Sequence, residues 1–106
     1  MQDELKVDMD WRPPEDWLIH WELFVVTYLN SLVPNIVECI CREESEHGWH
    51  FRIKLVQPAA DLWVLRMQFL LGDDRVRCKL NYGRWRAGIR DWNKLWKCKV
   101  GRDNKK

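Results

Sequence analysis

The sequence predicts an α+β domain, and three observations predict it. Two separated segments alternate apolar and polar residues with a period of two, which gives a strand one buried and one open face. Residues Val37 to Val56 carry the signature of a β-hairpin, two alternating arms around the polar run Glu43-Glu44-Ser45-Glu46-His47-Gly48. Between and after these strands lie segments that start at helix-entry residues and stop at Pro34-Asn35 or at glycine.

In chain order, Leu5 to Trp11 places Leu5, Val7, Met9 and Trp11 on one side and Lys6, Asp8 and Asp10 on the other, so it reads as the first strand. Pro13-Pro14-Glu15-Asp16 then suits a helix entry, with proline in the first turn and acids near the positive end of the helix dipole. The helix is expected to run to about Asn30 and to bury a stripe of Trp17, Trp21, Phe24 and Tyr28 with Leu18, Val25, Leu29 and Leu32 beside it. The hairpin follows. In its second arm Trp49, Phe51, Ile53 and Leu55 alternate with His50, Arg52 and Lys54, and Gly48 is expected to supply the backbone freedom that releases the turn into the strand. Gln57-Pro58 should end that arm. Asp61 is a candidate N-cap for a helix over Leu62 to Leu71 that stops at Gly72, and a further helix is expected from Arg75 to about Trp85, stopped by Gly88. Lys94 to Val100 alternates again and is expected to be a fourth strand, before a frayed tail at about 101–106. The resulting βαββαβ order is that of a ferredoxin-like or RNA-recognition-like fold: a four-stranded antiparallel sheet with helices on one face and the first and third strands adjacent.

At 106 residues the chain suits a single domain spanning 1–106. No apolar run reaches the roughly 18 residues of a membrane span, and the first residues do not read as a signal peptide, so a cytoplasmic protein without membrane contact is expected. Four cysteines without scaffold spacing fit a reducing compartment, and Cys39-x-Cys41 is not the spacing of a zinc knuckle, so no zinc is expected. Eight tryptophans are far more than a domain this small usually carries; most should be core, and an excess at the surface would serve a dimer interface.

The net charge of +2 conceals an asymmetry. Acids dominate before His47, whereas from Arg75 onward bases far outnumber Asp91 and Asp103 and are interleaved with Tyr82, Trp85, Trp92 and Trp96. Cations with interspersed aromatics suit phosphate contacts plus base stacking, while a solvated basic face is the alternative reading. In the predicted fold the open sheet face would carry Asp8 and Asp10 beside His50, Arg52 and Lys54, with Lys97 and Lys99 toward the edge. The aromatics of the third strand point inward instead, so this face suits metal ions and phosphates better than stacked bases.

Asp8-Met9-Asp10 on the first strand, with Ser45-Glu46-His47-Gly48-Trp49-His50 entering a central strand, resembles the D-x-D and s-x-G-x-H signatures of the archaeo-eukaryotic primase and primase-polymerase superfamily, especially its short forms from archaeal plasmids and viruses. The run Leu65-Arg66, Leu71-Gly72-Asp73-Asp74, Arg77, Asn81, Arg84 and Leu95-Trp96 is similar to a block that follows the histidine strand in some of these short proteins. The resemblance implies a primase-like palm in nucleic-acid replication or handling by a mobile genetic element. Asp8 and Asp10 would bind catalytic Mg²⁺ or Mn²⁺, His50 would contact the phosphates of an incoming nucleotide, and Arg52, Lys54, Arg84, Arg86, Lys97 and Lys99 would contact nucleic acid. A third metal carboxylate has no clear counterpart; Asp73, Asp74 and Asp91 are candidates. Catalysis stays open, the alternatives being a nonenzymatic single-stranded nucleic-acid-binding protein and a structural or dimerisation module.

Overall fold

In the computed structural model, residues 1–94 are described. They form β1 (Gln2–Met9), α1 (Glu15–Leu32), β2 (Val37–Glu44), β3 (Trp49–Ala59), α2 (Asp61–Leu70) and α3 (Arg75–Arg86). The strands make one antiparallel sheet in the order β1-β3-β2. No helix among the described residues is long and apolar enough to cross a membrane.

Alternation sets the register. Leu5, Val7 and Met9 of β1 lie opposite Ile53, Phe51 and Trp49 of β3, and this side is the core face. α1 covers it: Leu18, Val25 and Leu29 are buried, and the Trp21 ring packs on Phe51 with centroids 4.5 Å apart. The expected aromatic stripe is corrected here. A helix lying on a single sheet has one side covered, and the covered line is Leu18, Val25 and Leu29, which leaves Trp17 and Phe24 exposed. Trp49 is half-buried at the rim of the core, with the Arg42 and Arg12 guanidinium groups 4.7 and 5.6 Å from its ring. Arg42 reaches Glu15 at the start of α1, and Arg12 reaches Glu44 and the Ser45 carbonyl, so the ring sits where the hairpin is tied to the segment joining β1 to α1.

Gly48 is needed for a different reason from the one its position in the turn suggested. A Cβ on it would stand 1.9 Å from the Met9 carbonyl oxygen and 2.7 Å from the Trp11 nitrogen, so the requirement is close backbone approach rather than an unusual φ. Gly72 does need φ near +98°, and it ends the turn after α2. β3 runs through Gln57-Pro58 to Ala59, where Ala59 pairs with Gln2 across a register shift that accommodates the proline. Ala60, not Asp61, is the N-cap of α2, and Asp61 lies in its first turn.

The expected four-stranded sheet is corrected to a sheet of three strands among the described residues. In a ferredoxin-like sheet a fourth strand would pair along the outer edge of β1, but the polar groups of that edge are already taken. The Lys6 N–H donates to Gln68 Oε1 (2.8 Å) and the Asp8 N–H to Asp73 Oδ1 (2.7 Å). The Lys6 carbonyl accepts from Arg77 Nη1 (3.0 Å) and the Asp8 carbonyl from the Asp74 N–H (3.0 Å). α2, α3 and the turn between them thus occupy the Lys6 and Asp8 positions where a neighbouring strand would pair. Of the expected fourth strand, Lys94 lies in irregular structure; its other residues and the tail at 101–106 lie outside the described residues.

Arg77 is the centre of this closure. It is 2% exposed and donates to Asp73, to Asn93 Oδ1 (3.0 Å), and to the carbonyls of Lys6 and Lys94. A buried guanidinium is tolerable only with its donors satisfied, and a lysine, a single point charge, cannot reproduce the fork. We therefore expect Arg77→Met to lower unfolding free energy by roughly 3–5 kcal/mol, because Asp73 is left buried without its partner, and Arg77→Lys to be destabilised as well, because one ammonium cannot serve Asn93 and the Lys6 and Lys94 carbonyls together. Urea denaturation of both variants checks this, and a lysine variant of wild-type stability would contradict it.

Candidate functional site

The face opposite the core is built from three cross-strand rows. β1 contributes Glu4, Lys6 and Asp8, and β3 places Lys54, Arg52 and His50 opposite them. β2 adds Cys39, Cys41 and Glu43 opposite the same three β3 residues. His50 therefore lies between two carboxylates, with its Nε2 3.5 Å from Asp8 Oδ1. The pairing of Asp8 with His50 is the one the alternation predicts.

Other parts of the expected metal and nucleotide site are placed differently. β1 ends at Met9, so Asp10 lies beyond the strand, exposed, and the two aspartates do not share a strand face. His50 is 4% exposed, which closes the imidazole to a ligand in this conformation. Burial, the largest influence, pushes its pKa below the ordinary histidine value; Asp8 and Glu43 pull it up, and Arg77 and Arg52 push it further down. Arg52 and Lys54 both turn to Glu4, at 3.0 and 3.4 Å, and Lys6 lies 3.9 Å from the same carboxylate. Lys6 also donates to the Asn93 carbonyl at 2.8 Å, and burial lowers its pKa.

The candidate third carboxylates have structural partners. Asp73 is buried against Arg77, and burial raises its pKa to about 6 although Arg77 and the donated N–H of Asp8 pull it back. Asp74 caps α3 by accepting from the Arg77 N–H (3.1 Å), and Asp91 pairs with Lys94 at 3.3 Å. Among the described residues, no group of three or more His, Cys, Asp or Glu side chains is placed to hold a metal ion.

α3 carries a second candidate surface. Arg84 is half-buried and donates to Asn81 Oδ1 (3.3 Å), while Arg86 is exposed, donates to the Tyr82 hydroxyl (3.1 Å) and stands 5.8 Å from the centre of that ring. Arg75, Lys79, Tyr82 and Arg86 recur at i, i+4, i+7 and i+11 and are all exposed, so they form one stripe. Arg75 and Lys79 were not singled out as site residues in the sequence; applying the helical period to the basic segment would have selected them and set Arg77 apart. Lys97 and Lys99 lie outside the described residues.

Comparison with known proteins adds no relative: no protein-family description, curated protein or solved structure matches this chain.

The His50 row has a pH signature. With its folded pKa below the unfolded value of about 6.5, the native protein binds fewer protons than the unfolded chain below that pH. The stability associated with neutral His50 is thus present above about pH 6.5 and is lost as the pH falls toward the folded pKa. We expect the His50 ring resonances to titrate with a midpoint below 6.5, and His50→Gln to lose less stability than wild type on acidification from about pH 7 to 5. A midpoint at or above 6.5 would contradict the burial argument.

Proposed function

We propose that this chain is a nonenzymatic nucleic-acid-binding domain that holds single-stranded nucleic acid along the exposed stripe of α3. The observation that carries the reading is the stripe itself. Arg75, Lys79 and Arg86 lie on one side of a helix that contains no acid, and Tyr82, 46% exposed, lies among them. At about 1.5 Å rise per residue the three cations span about 16 Å, enough for several backbone phosphates. An exposed ring with a guanidinium beside it offers a stacking platform for a base. The resemblance to short primase-polymerase proteins supplies the setting, nucleic-acid handling for a mobile genetic element.

Salt dependence tests this directly. Each lost phosphate contact should reduce the slope of log affinity against log salt by about 0.7 for a single strand. We expect Arg75→Ala/Lys79→Ala to bind a fluorescent single-stranded oligonucleotide more weakly, with a slope shallower by about 1.4. Tyr82→Ala should weaken binding with little change in slope. Unchanged anisotropy titrations for a folded double variant would overturn the assignment to α3.

A second reading, a primase-like palm using Mg²⁺ or Mn²⁺ and nucleotide, is favoured by one observation: Asp8 and His50 face each other on adjacent strands, as the resemblance implies. The two readings part in one measurement. Calorimetric titration with Mn²⁺ and a nucleoside triphosphate should give metal-dependent binding lost in Asp8→Asn if the palm reading holds. The binding-domain reading expects oligonucleotide affinity that neither Mn²⁺, a chelator nor Asp8→Asn changes.

A further inference from the structure

Cys39 and Cys41 are exposed thiols on β2, on the same face of the sheet, with Ile40 between them turned toward the core. The proposed nucleic-acid surface uses neither of them. Residues i and i+2 of a strand are about 6.6 Å apart at their Cα atoms, with side chains projecting in parallel. A disulfide needs Cβ atoms only about 3.5–4.5 Å apart, so this spacing disfavours a direct sulfur-sulfur bond. A metal between the sulfurs changes the requirement, because two metal-sulfur bonds of about 2.3 Å each let the sulfurs stand several ångströms apart. The thiols are near enough to influence one another: after partial loss of hydration, the Cys41 thiol is the next largest influence pushing the Cys39 pKa up.

Both signs of charge stand beside the pair: Glu38 and Glu43 lie on β2, and burial, Cys41 and Glu38 hold the Cys39 thiol above its ordinary pKa, while Lys54 favours the thiolate. Lys54 lies opposite Cys39 and Arg52 opposite Cys41, and these two cations share the single carboxylate of Glu4 with Lys6.

We propose that Cys39 and Cys41 form a two-thiolate site for a soft, thiophilic d¹⁰ cation, with Cu⁺ as the ion it fits. Two ligands fall short of the four that a structural zinc site takes, whereas Cu⁺ prefers soft sulfur and is content with two-coordinate geometry. Binding forms two Cu–S bonds, breaks two S–H bonds and releases two protons to solvent, with no change of oxidation state. The resulting bis-thiolate carries one net negative charge and faces Arg52 and Lys54, which it would share with Glu4.

The test is an anaerobic competition between the folded protein and a chromophoric Cu⁺ chelator. Wild type is expected to withdraw one equivalent of Cu⁺. Cys39→Ser/Cys41→Ser should lose that equivalent while keeping the wild-type circular dichroism spectrum, since both positions are exposed. Cys98→Ser should retain it. The proposal is overturned if wild type withdraws none, if the double variant still withdraws the equivalent, or if Cys98→Ser abolishes it. Peptide mapping after mild oxidation provides an independent check, and an internal Cys39–Cys41 disulfide would overturn the geometric premise.

Discussion

The buried guanidinium of Arg77 is the interaction on which the rest of this fold depends. It binds an edge strand through the Lys6 carbonyl, the α2–α3 turn through Asp73, and the segment after α3 through Asn93 and the Lys94 carbonyl. Three pieces far apart in sequence are thereby fixed to one planar group. Removing a charge from water costs several kcal/mol, and the cost is met only because nearly every donor finds an acceptor in the plane. Asp73 shares the arrangement: one oxygen binds Arg77 and the other accepts the N–H groups of Asp8 and Asp74. The two side chains act as a unit, and the run Gly72-Asp73-Asp74 has in this protein a structural role that its carboxylates alone would not reveal.

The two edges of the sheet are handled by different physics. Along β1, side chains and one backbone N–H engage the outward groups of Lys6 and Asp8, which blunts that edge as a template. Along β2, Glu38, Arg42, Glu43 and Glu44 are exposed, and charge at an edge discourages pairing with another chain. A sheet of only three strands needs its core completed from outside, which α1 does from above while Val64, Leu65 and Met67 of α2 and Trp92 complete it around β1.

Much of the frame was legible in the sequence because alternation is a local signal. The periods of Leu5 to Met9 and Trp49 to Leu55 identify β1 and β3, and they bring Asp8 and His50 to one face. The polar turn and Gly48 locate the hairpin, and Pro14, Gly72 and Asp74 mark helix boundaries. What could not be read depended on partners distant in sequence. Nothing local in Gln68, Asn93 or Arg77 announces that these polar residues cap an edge strand, and the fourth strand was expected from the alternation of Lys94 to Val100 alone. Period two also says which face His50 occupies without saying how deeply it is covered. The aromatic stripe of α1 was misjudged for a related reason: an apolar helix can bury either of two adjacent lines, and the sheet rather than the helix chooses.

Charge pairing separates the cations of the sheet from those of α3, and the proposed nucleic-acid surface rests on the latter. On the sheet, Glu4 gathers Lys6, Arg52 and Lys54 around one carboxylate, so a phosphate arriving there competes with an acid already in place. α3 has no acid in its twelve residues, and its inward cation, Arg77, is the one neutralised by Asp73. The outward stripe is left with Arg75, Lys79 and Arg86, of which Arg86 leans on the Tyr82 ring. Among the described residues of the C-terminal third, the bases of α3 divide by the helical period into the buried Arg77, the half-buried Arg84 and the exposed Arg75, Lys79 and Arg86. The helical period separates the cation that holds the fold from those that can hold a ligand.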